Sequence, residues 1–245
     1  MRAIIPLSCL LYIFSMRRIF HITKRIFLWA LLIIFLYQLW IFAHVLWWKW
    51  NTPLNTNFMS IRLSELQEKN SNAKLQYEWV DYAKISPHLK RAVIAAEDGK
   101  FLEHNGFDWD GIENALEKNQ DKGKRVAGGS TISQQLAKNL FLSPSKSYIR
   151  KAQEAVITLM IEVCWDKRRI LEVYLNVVEW GEGTFGAQAA AKRHYQIKAV
   201  YLSAAQAARM AVMLPNPRKF ERNMPRYAVR YSHRVLQRMP MTKIP

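Results

Sequence analysis

Residues 26–48 limit this chain's options more than any other segment: 23 residues without a formal charge, broken only by the polar Gln38 and His44. As a helix rising ~1.5 Å per residue the segment reaches roughly 35 Å, enough to cross a hydrocarbon core of about 30 Å. Trp47, Trp48 and Trp50 crowd its C-terminal end, where amphipathic rings settle at a membrane interface. Arg17, Arg18, Lys24 and Arg25 stand just before it, so the positive-inside bias leaves the N-terminus cytoplasmic and everything after Trp50 outside. A cleaved signal peptide is the plain alternative. Against it, the apolar span exceeds an ordinary signal core, and bulky tryptophans stand where small cleavage-site residues belong. A second apolar run, 3–16, is too short to span and stays unassigned; Met16-Arg17-Arg18 would itself serve as a start.

The 245 residues suffice for one or two domains with a real core, and 50% hydrophobic content excludes disorder as a class. Of the net charge of +17, the first 50 residues supply six basic groups and no acid, leaving 30 basic against 19 acidic residues for the rest. Such an excess points to an anionic partner. Nucleic acid is the usual reading of a basic soluble protein, but the apolar N-terminal span argues for lipid headgroups or a phosphorylated substrate instead. Cys9 and Cys164 fall on opposite sides of that span, so no disulfide framework is expected. Cys164 reads as a small buried hydrophobe.

Helical signals dominate the rest of the chain. Residues 49–74, polar and containing Pro53, suit a juxtamembrane linker with one short helix near 60–69. Residues 77–82 suit a short strand or an extended approach. Ser86-Pro87 reads as a helix start, with Leu89, Val93, Ile94 and Ala96 at helical spacing. Further helices are expected at 110–118, 131–141, 168–176, 187–195, 203–214 and 227–239, with 119–127 as a mobile basic loop. Ser147 should cap a long helix through Trp165 with an apolar stripe of Ile149, Ala152, Val156, Leu159, Met160 and Val163. Gly181, Gly183 and Gly186 mark a turn. The fold class is mostly α, one compact domain behind the apolar span.

Three segments carry chemistry. In Glu97-Asp98-Gly99-Lys100-Phe101-Leu102-Glu103-His104-Asn105-Gly106, Glu97 ends an apolar helix, where desolvation raises a carboxyl pKa and suits a general base. Gly106 would turn the chain so that His104 returns beside the acidic pair. The plain alternative is a solvated helix end and an incidental histidine. In residues 128–142, Gly128, Gly129, Ser130 and Thr131 offer backbone donors and hydroxyls before a helix, a setting for an anion. Gln134, Gln135, Lys138 and Asn139 come next, with Gln134 one turn before Lys138. An ordinary N-cap and a solvated polar face account for them equally well. In Lys146-Ser147-Tyr148-Ile149-Arg150-Lys151-Ala152-Gln153-Glu154, i,i+3 and i,i+4 ion pairs explain the charges without a ligand, yet three cations outnumber the one carboxylate.

The order and spacing of the three together resemble the peptidoglycan glycosyltransferase family. Its patterns E-D-x-x-F-x-x-H-x-G, G-G-S-T-[IL]-[ST]-Q-Q-x-x-K-N and R-K-x-x-E fall at 97–106, 128–139 and 150–154. Two further blocks, 167–176 and 202–217, also fit, so the resemblance covers about 75–220. The closest form is the monofunctional one with a single membrane anchor, since there is no room for a transpeptidase domain after Pro217. Lys146 stands where the family usually has Arg, giving up bidentate phosphate contact, and 194–197 lacks the aromatic-glycine ending often seen there.

The resemblance implies a lysozyme-like glycosyltransferase domain over 75–245, with 1–25 cytoplasmic, 26–48 spanning a bacterial inner membrane and the catalytic domain periplasmic. It implies polymerisation of lipid II into β-1,4-linked glycan, with inversion and release of undecaprenyl diphosphate. Glu97 would be the base. Lys138, Lys146, Arg150 and Lys151 would neutralise the leaving diphosphate. Glu154 would orient those cations, help hold a divalent metal (Mg or Mn), or both. Asp98, Phe101, His104, Gly128, Gly129, Ser130, Thr131, Gln134, Gln135 and Asn139 complete the expected substrate surface. No organic cofactor is implied; the partners are lipid II, the growing lipid-linked glycan, the membrane and other cell-wall synthesis proteins. A lysozyme-like lytic transglycosylase is the main rival, but cleavage needs an acid and no diphosphate site. A catalytically silent anchor protein is a third reading, which loss of Glu97 or Lys138 would favour; both are present.

Overall fold

The computed structural model describes residues 7–121, 123 and 128–245. The expected basic loop at 119–127 is helical as far as Asp121, and 122 and 124–127 lie outside the described residues. The chain divides into two units, Met1–His44 and Val45–Pro245.

Helix α1, Leu7–Trp48, is far longer than the uncharged stretch, because neither Pro nor Gly interrupts it. Its portion Phe20–Trp48 is long and apolar enough to cross a membrane.

The second unit is helical around a small sheet. Helix α2, Asn57–Gln67, starts where Thr56 Oγ1 accepts from Met59 N at 3.2 Å. It buries Phe58 and Met59 and packs on α5, so the segment expected as a linker carries part of the domain. The strand is Gln76–Tyr77 (β1), which overlaps the expected segment 77–82 only at Tyr77, and Tyr82–Lys84 is a 3-10 turn. Helix α3, Pro87–Glu97, begins at the Ser86 cap with proline at its first position. Helix α4, Trp109–Asp121, leads towards α5, Ile132–Phe141. Helix α6, Tyr148–Cys164, is capped by Ser147, and α7, Lys167–Val177, by Asp166. The glycine-marked turn is a hairpin of β2, Glu179–Gly181, and β3, Thr184–Phe185. β3 pairs in parallel with β1, giving the order β1-β3-β2 and the register Gln76 to Thr184 and Tyr77 to Phe185. Helices α8, Ala187–Tyr195, α9, Ala204–Ala211, α10, Pro217–Arg222, and α11, Arg226–Arg238, complete the unit.

Helix α5 lies at the centre, packed on α2, α6 and α7. Its Ile132, Leu136 and Leu140, four apart, are fully buried; each contributes roughly 1.5–3 kcal/mol. Helix α3 packs chiefly on α9, and α11 closes over both, with the Tyr231 hydroxyl donating to Ala96 O at 2.8 Å. Asn176 on α7 grips both polar groups of Val80, at 2.9 Å each, fixing the approach to α3.

One expectation is overturned on α6. The stripe read as its inward face is largely outward: Ile149 is 84%, Leu159 52% and Val163 83% exposed. The buried face is Glu154, Ile157, Thr158 and Ile161. Both sets follow helical spacing, so periodicity alone does not choose between them. The helix turns inward the face that carries Glu154.

Candidate active site

Glu97 is the last residue of α3, partly open to solvent. Burial of its surroundings raises its pKa; a hydrogen bond from Gln135 and the charge of Lys138 oppose that, and Asp98 adds to it. Gln135 Nε2 donates to Glu97 Oε2 at 2.7 Å, and the Tyr174 hydroxyl donates to Gln135 Oε1 at 2.9 Å. The upward direction is the one expected of a carboxyl at the end of an apolar helix, and Gln135 is its hydrogen-bond partner.

Asp98 faces inward. Its Oδ1 accepts from His104 Nε2 and its Oδ2 from the backbone N of Ile132, both at 2.9 Å. His104 Nδ1 in turn accepts from Gly106 N at 3.2 Å, which leaves Nε2 as the ring nitrogen that donates to Asp98. The turn that returns His104 to the acidic pair is therefore present, but it pins the start of α5 rather than opening onto a ligand. Gly106 sits at φ +92°, and a Cβ there would meet Thr158 Cγ2 at 2.8 Å. Phe101 is fully buried, with the Lys167 ammonium 4.8 Å from its ring centroid.

The run at 128–142 splits by role. Thr131 and Gln134 form a reciprocal capping box, and Thr131 Oγ1 also donates to Gly106 O at 2.7 Å. Gly129 is small because a Cβ would come within 2.9 Å of the Ile112 backbone on α4. Gly128 is exposed and crowds nothing. Gln134 is thus a cap, and Gln135, not Gln134, stands by Glu97. Asn139 is buried and donates to Gln135 O at 2.8 Å.

Lys138 links the two halves of the site. Burial lowers its pKa; Glu154 and Glu97 raise it, and Arg150 and Lys151 lower it. It therefore feels Glu97 on one side and the charges of α6 on the other. Glu154, buried at 3% exposure, receives Arg150 Nη1 at 2.5 Å and the Lys151 ammonium. Lys151 also reaches Ser130 Oγ at 3.3 Å. Arg150 Nε is buried with no hydrogen-bond partner among the described residues. Lys146 is exposed at the approach to α6.

A cleft of about 310 Å³ adjoins Gln135 and Lys138, bounded by Phe58, Arg62, Glu179 and Arg218. Glu179 on β2 accepts from Arg62 Nε at 3.2 Å and from Arg218 Nε at 2.9 Å, tying α2, β2 and α10 into one wall. Sequence reasoning missed these residues and Tyr174. Arg62 and Phe58 lay in the supposed linker, and the charges of Arg218 and Glu179 carry no local signature of being partners. A larger surface cleft, about 420 Å³, takes in Lys100, Asp108 and Asp110 and, of the expected site residues, Gly128 alone.

No group of three or more His, Cys, Asp or Glu suited to a metal occurs among the described residues. Both oxygens of Glu154 are already held by cations. The residues present do not fit a protein-held divalent ion at this position.

Residues 63–240 match the transglycosylase family model. A biosynthetic peptidoglycan transglycosylase of Azoarcus sp. (strain BH72) is 59% identical over 231 residues, 94% of this chain and all of that one. The protein of the same description from Aromatoleum aromaticum is 60% identical over 222 residues, 90% of this chain and 96% of the relative. That from Thiobacillus denitrificans is 61% identical over 192 residues, covering 78% and 83%.

Proposed function

Since the chain belongs to the transglycosylase family and is a peptidoglycan glycosyltransferase that polymerises glycan chains, we propose that lipid II is its acceptor and a lipid-linked glycan its donor, with Glu97 as general base. The acceptor's 4-hydroxyl gives its proton to Glu97 while its oxygen bonds to the donor's anomeric carbon. The bond from that carbon to the phosphate oxygen breaks, and the diphosphate leaves with the electron pair. Attack opposite the leaving group inverts the centre and gives the β-1,4 link.

One observation carries the assignment: Arg150 Nε, buried with no hydrogen-bond partner among the described residues, beside Lys151 and Glu154, with Lys138 under the charges of both Glu154 and Glu97. Fixed cations around a developing diphosphate charge act where little reorganisation is needed. Glu154 holds Arg150 and Lys151 in place, and Lys146 is exposed just before α6.

The raised pKa of Glu97 would equally suit the acid of a lytic enzyme; the cation group is what favours synthesis. In this reading α1 attaches the chain to the inner membrane with the N-terminus cytoplasmic and the domain outside; the apolar length of Phe20–Trp48 and the basic residues before Ile26 support it. The outward apolar face of α6, beside its cations, suits the lipid surface where polyprenyl substrates stay. Other cell-wall synthesis proteins remain proposed partners.

The test is polymerisation of lipid II by the purified full chain in detergent, read as glycan length on a gel. Wild type should give polymer and Glu97→Gln none, with an unchanged far-UV spectrum. Polymer made by Glu97→Gln at the wild-type rate would remove Glu97 as base, and release of fragments from preformed glycan would favour the lytic reading.

A further inference from the structure

Three helices each place one member of a hydrogen-bonded chain: Tyr174 on α7, Gln135 on α5 and Glu97 at the end of α3. The phenol donates to Gln135 Oε1 at 2.9 Å, and Gln135 Nε2 donates to Glu97 Oε2 at 2.7 Å. We propose that Tyr174 is a positioning residue for the glycosyl transfer: its hydroxyl fixes which end of the Gln135 amide faces Glu97, and so aims the carboxylate. The inference rests on Glu97 being the base.

The chemistry of the donors fixes the direction. An ionised carboxylate only accepts, so Gln135 must turn its NH₂ towards Glu97. The two ends of an amide have nearly the same shape, so packing alone does not select this rotamer. A phenol that donates to the carbonyl end does. Tyr174 is fully buried, and its hydroxyl has this use for its proton. α7 is itself rigidly held, by the Asp166 cap and by Asn176 on Val80. Gln135, expected to touch substrate, spends both ends of its side chain inside this chain of bonds.

The other groups facing Glu97 do not replace the bond. Asp98, next in sequence, repels its charge; Lys138 on α5 attracts it; Tyr231 on α11 is bonded to Ala96 O. Arg209, the charged residue of α9, is exposed. If Gln135 flips, its carbonyl faces the carboxylate, and Lys138 alone offsets burial and Asp98. The ionised base is then disfavoured.

The experiment compares lipid II polymerisation across pH for wild type, Tyr174→Phe, Gln135→Ala and the double variant, with Glu97→Gln as the reference for the base. Tyr174→Phe keeps the ring and removes the proton. Its acid limb should move up by about half to one pH unit, with kcat down roughly tenfold, KM little changed and the loss partly recovered at high pH. In the Gln135→Ala background, Tyr174→Phe should add nothing, since a residue acting through another shows no separate effect once that partner is gone. An unmoved acid limb, additive losses, or a Tyr174→Phe chain that fails to fold would each overturn the proposal, the last by making the hydroxyl a core element. Polymer made by Glu97→Gln would instead overturn the base assignment beneath it.

Discussion

At the scale of single residues, the site's main tension is a carboxylate that must ionise where burial opposes it. Glu97 has a raised pKa, with desolvation the largest cause. Below about pH 4.5 the carboxyl is protonated both folded and unfolded and costs nothing. As pH rises through the raised folded value, the unfolded chain ionises first, so stability is lost over that window and stays lost at neutral pH. Glu97→Gln keeps the shape and an acceptor for Gln135 but removes the charge. It should therefore melt higher than wild type at pH 7, with the gain vanishing as pH falls below about 4.5. Thermal melts at several pH values check this; a lower melting temperature at pH 7 would mean that Lys138 and Gln135 outweigh burial. Lys138 carries the matching tension, since burial lowers its pKa while both neighbouring carboxylates raise it.

Among the elements, α5 is where legibility in the sequence and its limits meet. Its extent, its caps and the presence of a polar face follow from local rules, and expectation and structure differ at its start by one residue. What local rules leave open is which polar residues face the cleft. Thr131 and Gln134 close the capping box, and Gln135 and Lys138 face Glu97; that depends on α3 and α7, which lie far away in sequence. The same limit explains α6, whose two apolar faces satisfy one period. It explains Asp98 too: the acidic pair was legible, but not that Asp98 pins the α5 N-terminus through Ile132 N and His104. Asp98→Ala should leave two buried donors unpaired, at roughly 1–3 kcal/mol each, and lower kcat with KM nearly unchanged in the folded fraction. Denaturant melts and steady-state rates separate the effects. A large rise in KM with normal stability would restore Asp98 to the substrate surface.

For the whole molecule, the proposed function asks one chain to fold in water and to work on substrates held in lipid. The apolar span announces this in the first 50 residues, and α6 repeats it within the domain. Tyr148, Ile149, Leu159 and Val163 are exposed on one helix whose inward face carries Glu154. A helix that leaves these four side chains outward while burying a carboxylate is not arranged for solubility alone. Because these side chains make few contacts to lose, charging two of them should leave the fold intact: Leu159→Glu with Val163→Glu should change stability by no more than about 0.5 kcal/mol per site. Neither residue belongs to the catalytic group, so polymerisation in detergent should persist. With lipid II in anionic vesicles, the face would have to desolvate two carboxylates against a negatively charged surface, and the rate should fall several-fold or more. Rates in detergent and in vesicles, measured on one preparation, check the difference. Equal rates in both would show that the outward face of α6 takes no part in bringing the site to its lipid substrates.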